Sequence, residues 1–545
     1  MPTYTLPRTP QSAEIYADIS RRGALRLGAA AGLGMTIGLP ALTGCSLGST
    51  PASRPSSTPP ARPTGVLRVA NNAEPQTLDP TVATNIADVG ILMHNVYEGL
   101  VQYRGDTNEL EPLLAEHFES SPDAREWIFR LRQGVTFHDG EPLTSSAVKA
   151  SFDYAKASRG AYGYFLPDGA TYDDSDPTVL RITTPTPFPD MARNVSVQKI
   201  ISPKLIRAGA TSIKRSPAGT GPFRFVSYRT AQSVVLEANQ NYWRTGSGPY
   251  LERLEFLIIP DPDGRISALR SGSVDLVLKV TPTNSLGLRG DQNIVVTQNN
   301  SWTTSKIFLY TKTPPMDNLK LREALSYAID RQALIKSILR DVGGESNDSW
   351  VVPGLYGYHE PATTYPYDPD RARQLIAESG LPTPISINLA YSPDVGGPGE
   401  QLAQAISGMV KEVGIDLTVV SKAGGELGKV HTSPGGNPRP WHAMLGGRTF
   451  ITGSAAHCIA LQCLERENQL EDPRLADLGK QVLNTANGPE RLQLFADVEQ
   501  RVAELAPMVT LYTEVALHAH RNTVQGFVPP QDGLLPSYGS VYLAG

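Results

Sequence analysis

The sequence predicts an α/β protein. Three observations carry the prediction. Strand and helix periodicities alternate along the chain. The helical run that ends at Gly414 hands over directly to the apolar strand Ile415 to Val419. The body that follows the N-terminal region is about 480 residues, enough for two or three domains with sizeable cores. Mixed elements in that order pack as helices on sheets.

Each element has its own signal. Gly65-Val66-Leu67-Arg68-Val69-Ala70 is a short strand that ends at Asn71-Asn72. Trp127, Phe129 and Leu131 alternate with polar partners and stop at Gly134, which predicts a half-buried strand. Thr144 to Tyr154 predicts a helix, with Thr144 as N-cap and Val148 and Phe152 on one face. Leu321, Ala324, Leu325, Ala328 and Ile329 repeat at helical spacing behind a cap at Asp317 or Asn318. Leu402, Ala405, Ile406, Met409, Val410 and Val413 do the same, and Gly414 stops them. Ile415 to Val419 is the strand that follows.

The N-terminus predicts export. Ser20-Arg21-Arg22-Gly23-Ala24-Leu25-Arg26 reads as a twin-arginine signal, degenerate at Ala24. The uncharged stretch after Arg26 is diluted by Gly28, Gly32, Gly34 and Gly38, which makes a poor spanning helix. It closes on Leu42-Thr43-Gly44-Cys45, the pattern of a bacterial lipoprotein processing site. The expectation is removal of residues 1–44 and lipidation of Cys45, which anchors the protein to a membrane on its extracytoplasmic side. Residues 45–65, rich in Ser, Thr, Pro and Ala, then form an extended linker.

Composition excludes several classes. The net charge of -5 and the absence of a basic run exclude a nucleic-acid surface. No segment after Cys45 is apolar for the roughly 18 residues of a membrane span. Cys458 and Cys463 remain as a local pair. Outside the cytoplasm such a pair reads as a disulfide; the rivals are free thiols or a metal site with His457. Two cysteines and one histidine without a second ligand cluster are weak for zinc.

A resemblance then enters. Leu110-Glu111-Pro112-Leu113-Leu114-Ala115-Glu116 leads through Trp127 to Gly134-Val135-Thr136-Phe137-His138-Asp139-Gly140-Glu141-Pro142-Leu143-Thr144. Further landmarks are Gly219-Thr220-Gly221-Pro222-Phe223, Asn241-Tyr242-Trp243, Ser271 to Asp275, Leu321 to Arg331, Tyr367 to Gly380 and Arg521 to Phe527. These resemble the family 5 extracellular solute-binding proteins, the peptide- and nickel-binding components of ABC importers. The resemblance implies a two-lobed periplasmic-binding-protein-like body. One lobe would take 66–295, with an extra subdomain, plus the return 516–545; the other would take 296–515. It implies a monomer that closes over a small solute and docks on permease subunits. It implies no catalytic residue, no cofactor and no metal. His138-Asp139 sits in a turn where adjacent residues rarely face each other, and no Gly-x-Ser-x-Gly elbow or Gly-Lys-Ser/Thr loop accompanies it.

Ligand chemistry is expected in the second lobe. Peptide-binding relatives carry a Gly-Trp-x-x-Asp stretch whose aspartate pairs with the ligand ammonium. The matching stretch is Leu445 to Thr452, with Arg448 at the tryptophan and Ile451 at the aspartate. An unpaired ammonium against isoleucine would cost several kcal/mol. Arg448 offers a fork for carboxylate or phosphate instead. The implied solute is N-blocked, anionic, glycan-like or a metal chelate. The alternative is an internal ion pair for Arg448, with an acidic residue from another loop meeting the amine. Other candidates are Phe450 in the same stretch, Asn71, Asn72 and Glu74 after the first strand, Tyr97 and Glu98, and Trp302 near the hinge. His442 is a weak metal candidate. An orphan lipoprotein of the same fold, with an occluded cleft and a role in envelope assembly, is the second functional reading.

Overall fold

The structure, a computed structural model, describes residues 58–82, 91–104, 107–158, 160, 162–393, 398–432, 438–459, 470–529 and 536–544. The twin-arginine leader, Cys45, the linker up to residue 57 and Cys463 lie outside the described residues. No helix among the described residues is long and apolar enough to cross a membrane.

One 11-stranded mixed sheet runs through both lobes. Its path is Ile415–Ser421, Ile385–Tyr391, Ala443–Thr449, Ile294–Leu309, Met508–Arg521, Leu276–Val277, Val66–Asn71, Arg253–Ile258, Ser233–Ala238 and Phe223–Arg229, with Gly344–Glu345 beside Met508–Arg521. The first lobe gathers its core around Leu67, Val69, Phe223, Leu236, Leu254 and Phe256. The second gathers around Ile307, Leu309, Leu325, Ile387, Leu389, Ile406 and Leu511. Among the described strands, only Ile294–Leu309 and Met508–Arg521 belong to both halves of the path, so they carry the chain across. A separate four-stranded sheet, Ala115–Ser120, Glu126–Leu131, Val179–Thr183 and Thr171–Asp176, packs on helix Ser145–Ala157 as the extra subdomain.

The local expectations have physical counterparts. Thr144 caps helix Ser145–Ala157 by accepting the Ala147 N–H at 3.2 Å, and Val148 and Phe152 are buried beneath it. Trp127, Phe129 and Leu131 are the buried face of Glu126–Leu131. Asn318, of the two candidate caps, accepts the Leu321 N–H. Gly414 takes φ +93° between helix Gly399–Lys411 and strand Ile415–Ser421, a conformation that favours glycine.

The signature motifs are structural joints. Phe137 to Glu141 is a turn closed by the Phe137 N–H on the Glu141 carbonyl at 2.8 Å. Within it, His138 Nε2 lies 2.9 Å from the Gly221 carbonyl, whereas Asp139 accepts from Ser202 Oγ at 2.5 Å. The two side chains serve different partners. Burial holds the His138 imidazole down at about 4, so it is neutral at neutral pH. Gly219 and Gly221 lie against the backbone of Asn95, Val96 and Tyr97: a Cβ on Gly219 would sit 2.8 Å from Tyr97 Cα. Gly221 N–H donates to the Val96 carbonyl and Phe223 N–H to the Asn95 carbonyl.

Candidate functional site

The two crossing strands build the floor of the site. Ile294 to Asn300 pair with Val515 to Arg521, and Thr304 to Phe308 pair with Met508 to Thr513. The register slips between Asn300 and Thr304 and again between Ser305 and Lys306. Such irregularities bend a ladder and raise its twist, and here they fall where the chain passes from one lobe to the other. Trp302 occupies the slip. Its ring meets Tyr103 of the first lobe edge-on, with centroids 4.8 Å apart, and its carbonyl accepts the Phe450 N–H at 2.8 Å. It is 4 % exposed, so it joins the lobes by packing.

Several of the expected ligand residues turn out to be committed elsewhere. Tyr97 is fully buried in the first-lobe core. Glu98 is buried beside it and accepts from Thr220 Oγ1, Tyr242 OH and Trp243 Nε1, each at 2.8 Å. Burial pushes its carboxyl up, and those three bonds oppose the push. With both oxygens bonded inside the lobe, Glu98 ties the Asn241-Tyr242-Trp243 landmark to Gly219–Phe223. Phe450 is fully buried against Trp350 in a second-lobe core. His442 is bonded to Asn388 through both backbone and ring, and no metal-holding group of acidic, histidine and cysteine side chains occurs among the described residues. Asn72 is exposed at the end of the first strand, next to Asn71, whose amide donates to the Ala73 carbonyl. Glu74 accepts from Tyr228 OH and the Ala231 N–H. Arg448 is half-buried on Ala443–Thr449, opposite Thr304. Cys458 is buried at the end of the short helix Ala456–Cys458.

Sequence reasoning missed the polar face of the crossing ladder. Directly opposed residues of antiparallel strands share a face. Thr297 opposes His518 and Asn299 opposes Ala516, and Glu514 lies on the same side by alternation. Thr297 Oγ1 and both ring nitrogens of His518 are buried with no hydrogen-bond partner. Burial, and then Lys279 and His520, hold the His518 imidazole down at about 4. Glu514 has its carboxyl pushed up by burial, with Lys279 acting against the push. The available signal was the alternation Glu514-x-Ala516-x-His518-x-His520 inside an otherwise apolar strand.

The lobes also clasp each other beyond this floor. Asp190 of the first lobe and Arg491 of the second form an ion pair, with the arginine fully buried. Asn487 Nδ2 donates to the Pro189 carbonyl at 3.0 Å. Arg193 lies 4.7 Å above the Tyr356 ring and donates to the Gly453 carbonyl. Tyr103 OH donates to the Thr452 carbonyl. Ile451 is 4 % exposed in a cluster whose other members, Met93, Tyr162, Phe165 and Val197, all come from the first lobe.

Comparison with known proteins agrees with this architecture. Residues 109–432 match the model of bacterial extracellular solute-binding proteins, family 5. The chain belongs to that family. Among family 5 relatives, it is 26% identical over 485 residues to heme-binding protein A of Haemophilus influenzae, covering 82% of this chain and 86% of the relative. It is 25% identical over 501 residues to the dipeptide-binding protein of Escherichia coli, covering 85% and 92%. A periplasmic binding protein of Helicobacter pylori, solved with the peptide STSA, superposes with a TM-score of 0.77 at 23% identity, covering 89% of this chain and 99% of that one. The shared fold is two-lobed, and the relatives' names differ in the solute they specify.

Proposed function

We propose that this family 5 protein captures a small polar, peptide-like solute between its lobes and delivers it to the permease of an ABC importer. Closure over the solute is the signal the permease reads, since a ligand that binds the closed state better shifts the population toward it. The observation that carries the reading is the polar face of the crossing ladder, where buried groups lack partners at the junction of two lobes. Buried polar groups are normally satisfied, and a bound solute would satisfy these. Arg448 is proposed to meet an anionic group of the solute as a bidentate fork. The lobes would divide near 295 and 515, and Cys45 would carry the lipid that holds the protein at the membrane.

The test is native mass spectrometry on the full chain, before and after mild denaturation. A released small-molecule mass supports solute capture. Replacement Arg448→Ala is expected to weaken binding of that solute by over tenfold, and an unchanged affinity removes Arg448 from the site. Replacement Cys45→Ser should shift the protein from the membrane fraction to the soluble one.

One observation favours the second reading, an orphan lipoprotein with an occluded cleft. Ile451 packs into a buried cluster of first-lobe side chains, which closes the cleft at that position. If no mass is released and peptides, glycans and metal chelates all fail to raise the melting temperature, that reading replaces solute delivery.

A further inference from the structure

Glu514 stands apart from the other enclosed carboxylates. Glu98 accepts from three donors. Asp79 accepts from Thr81 and Tyr154. Asp190 is paired with Arg491. Glu499 accepts the Trp350 N–H. Glu514 takes no hydrogen bond from any described residue, and it is half-buried rather than sealed in packed core. It sits at the break of the crossing ladder, beside Thr513, which opposes Thr304. Across from it lies the exposed Gly447: a Cβ built there would stand 3.7 Å from Glu514 Oε1. The missing side chain at Gly447 therefore leaves the space in front of the carboxylate clear.

A second observation points the same way. His518 lies on the same face, is 5 % exposed, and has neither ring nitrogen satisfied. Two polar side chains without partners on one strand face mark a surface prepared for a guest, because each alone carries a desolvation cost that only a guest's groups would offset.

We infer that the cleft holds a cation-binding subsite at Glu514, fitted to an ammonium group of the captured solute. The inference rests on the solute-capture reading above. It also selects between the alternatives the sequence left open: an acidic residue from outside the Leu445–Thr452 stretch meets the amine. The Ile451 position cannot, since it is filled by first-lobe side chains. Glu514 then takes the positive end of the solute. An ammonium brought there gains a carboxylate that forms no salt bridge with any described residue, while Lys279 acts on it electrostatically. Charge-assisted pairs of this kind are strong where water is excluded.

The test uses a peptic digest of casein, half of it exhaustively acetylated so that every amine is lost. The full chain is equilibrated with each half, and retained peptides are identified by native mass spectrometry. The wild type is expected to retain free-amine peptides at least tenfold over their acetylated forms. Replacement Glu514→Gln, which keeps the side-chain shape, should abolish that preference with little change in melting temperature. Replacement Gly447→Ala should weaken binding by crowding Oε1 without altering charge. An unchanged preference in Glu514→Gln, or no preference in the wild type, overturns the subsite while leaving solute capture intact. Retention of nothing from either half overturns the subsite, and the released-mass experiment then decides solute capture separately.

Discussion

The Asp190–Arg491 pair predicts how firmly the two lobes hold together. Arg491 is fully buried and Asp190 is 8 % exposed. The guanidinium has two further partners, the Val482 carbonyl at 2.8 Å and Asn487 Oδ1 at 2.6 Å, and lies over the Tyr356 and Phe495 rings. Both oxygens are neutral and come from its own lobe, so Asp190 is its only anionic partner among the described residues. Replacement Asp190→Asn keeps the shape and removes the charge. Leaving one member of a buried pair uncompensated costs about 3–5 kcal/mol, which is a factor of about a hundred to several thousand in an equilibrium constant. The cost falls on the docked arrangement, because parting the lobes returns Arg491 to water. We therefore expect Asp190→Asn to raise the radius of gyration in small-angle scattering and to weaken solute binding. Replacing both members, Asp190→Leu with Arg491→Met, should restore much of the loss, as a matched apolar pair often does. The reasoning is refuted if the single replacement changes neither the radius of gyration nor the affinity. It is refuted equally if the urea midpoint drops with the radius unchanged, since the pair would then hold the fold and not the closure.

Three further outcomes are expected. Replacement Ile451→Asp places a carboxylate among Met93, Tyr162, Phe165 and Val197 and should cost several kcal/mol of closure, read as an expanded form in scattering; a compact, equally stable variant would show that the cluster is hydrated. Replacement Gly219→Ala drives a methyl into the Val96–Tyr97 backbone and should lower the unfolding free energy by about 2–4 kcal/mol, read as a lower urea midpoint, with no change expected only if that backbone can move. Acid should destabilise the protein through His138 and His518, both held at about 4 against an ordinary 6.5. Their neutral forms are favoured in the fold, so this contribution is intact above pH 6.5 and is lost as pH falls toward 4, by up to about 3 kcal/mol for each. Glu499, pushed up to about 8 by burial, works in the other direction and loses its contribution as pH rises from about 4.5 to 8. Replacement His518→Gln should flatten the acid slope of melting temperature against pH by about half, and an unchanged slope would place the titration elsewhere.

What was legible in the sequence was local. Thr144, Asn318 and Gly414 announce helix ends because a cap or a positive φ needs only the residues beside it. The alternation of Trp127, Phe129 and Leu131 announces a strand for the same reason. The fold followed from motifs that are joints, such as Gly219–Phe223 against Asn95–Tyr97, where close backbone approach tolerates few substitutions. The candidate site was less legible. Glu98 lies in a segment that resembles a ligand-lining one, yet its three donors come from residues more than a hundred positions away. Its commitment could not be seen along the chain. Glu514 and His518 were passed over because neither sits in a named motif; only the pairing of 294–300 with 515–521 puts them on one face with Thr297 and Asn299.

The same distinction explains how one fold serves relatives named for haem and for dipeptides. The joints involve backbone and buried donors inside a lobe, so changing them costs folding. The floor of the cleft is a strand face at a bulge, where a polar side chain can change identity without breaking a ladder bond. In this chain that freedom appears three times at the crossing: an apolar Ile451 closes one position, Gly447 clears another, and Glu514 supplies charge from a different strand. Moving the anion from the segment after Ala443–Thr449 to Met508–Arg521 moves the point at which a solute's positive end is held. A solute anchored at Glu514 would lie along the crossing strands, over Ala516 and His518, and its length would be limited by Phe527, whose ring meets His518 edge-on at 5.8 Å. Replacement Phe527→Ala is therefore expected to admit solutes longer at that end, read as a shift in the lengths of retained peptides, and an unchanged length distribution would show that the solute runs the other way.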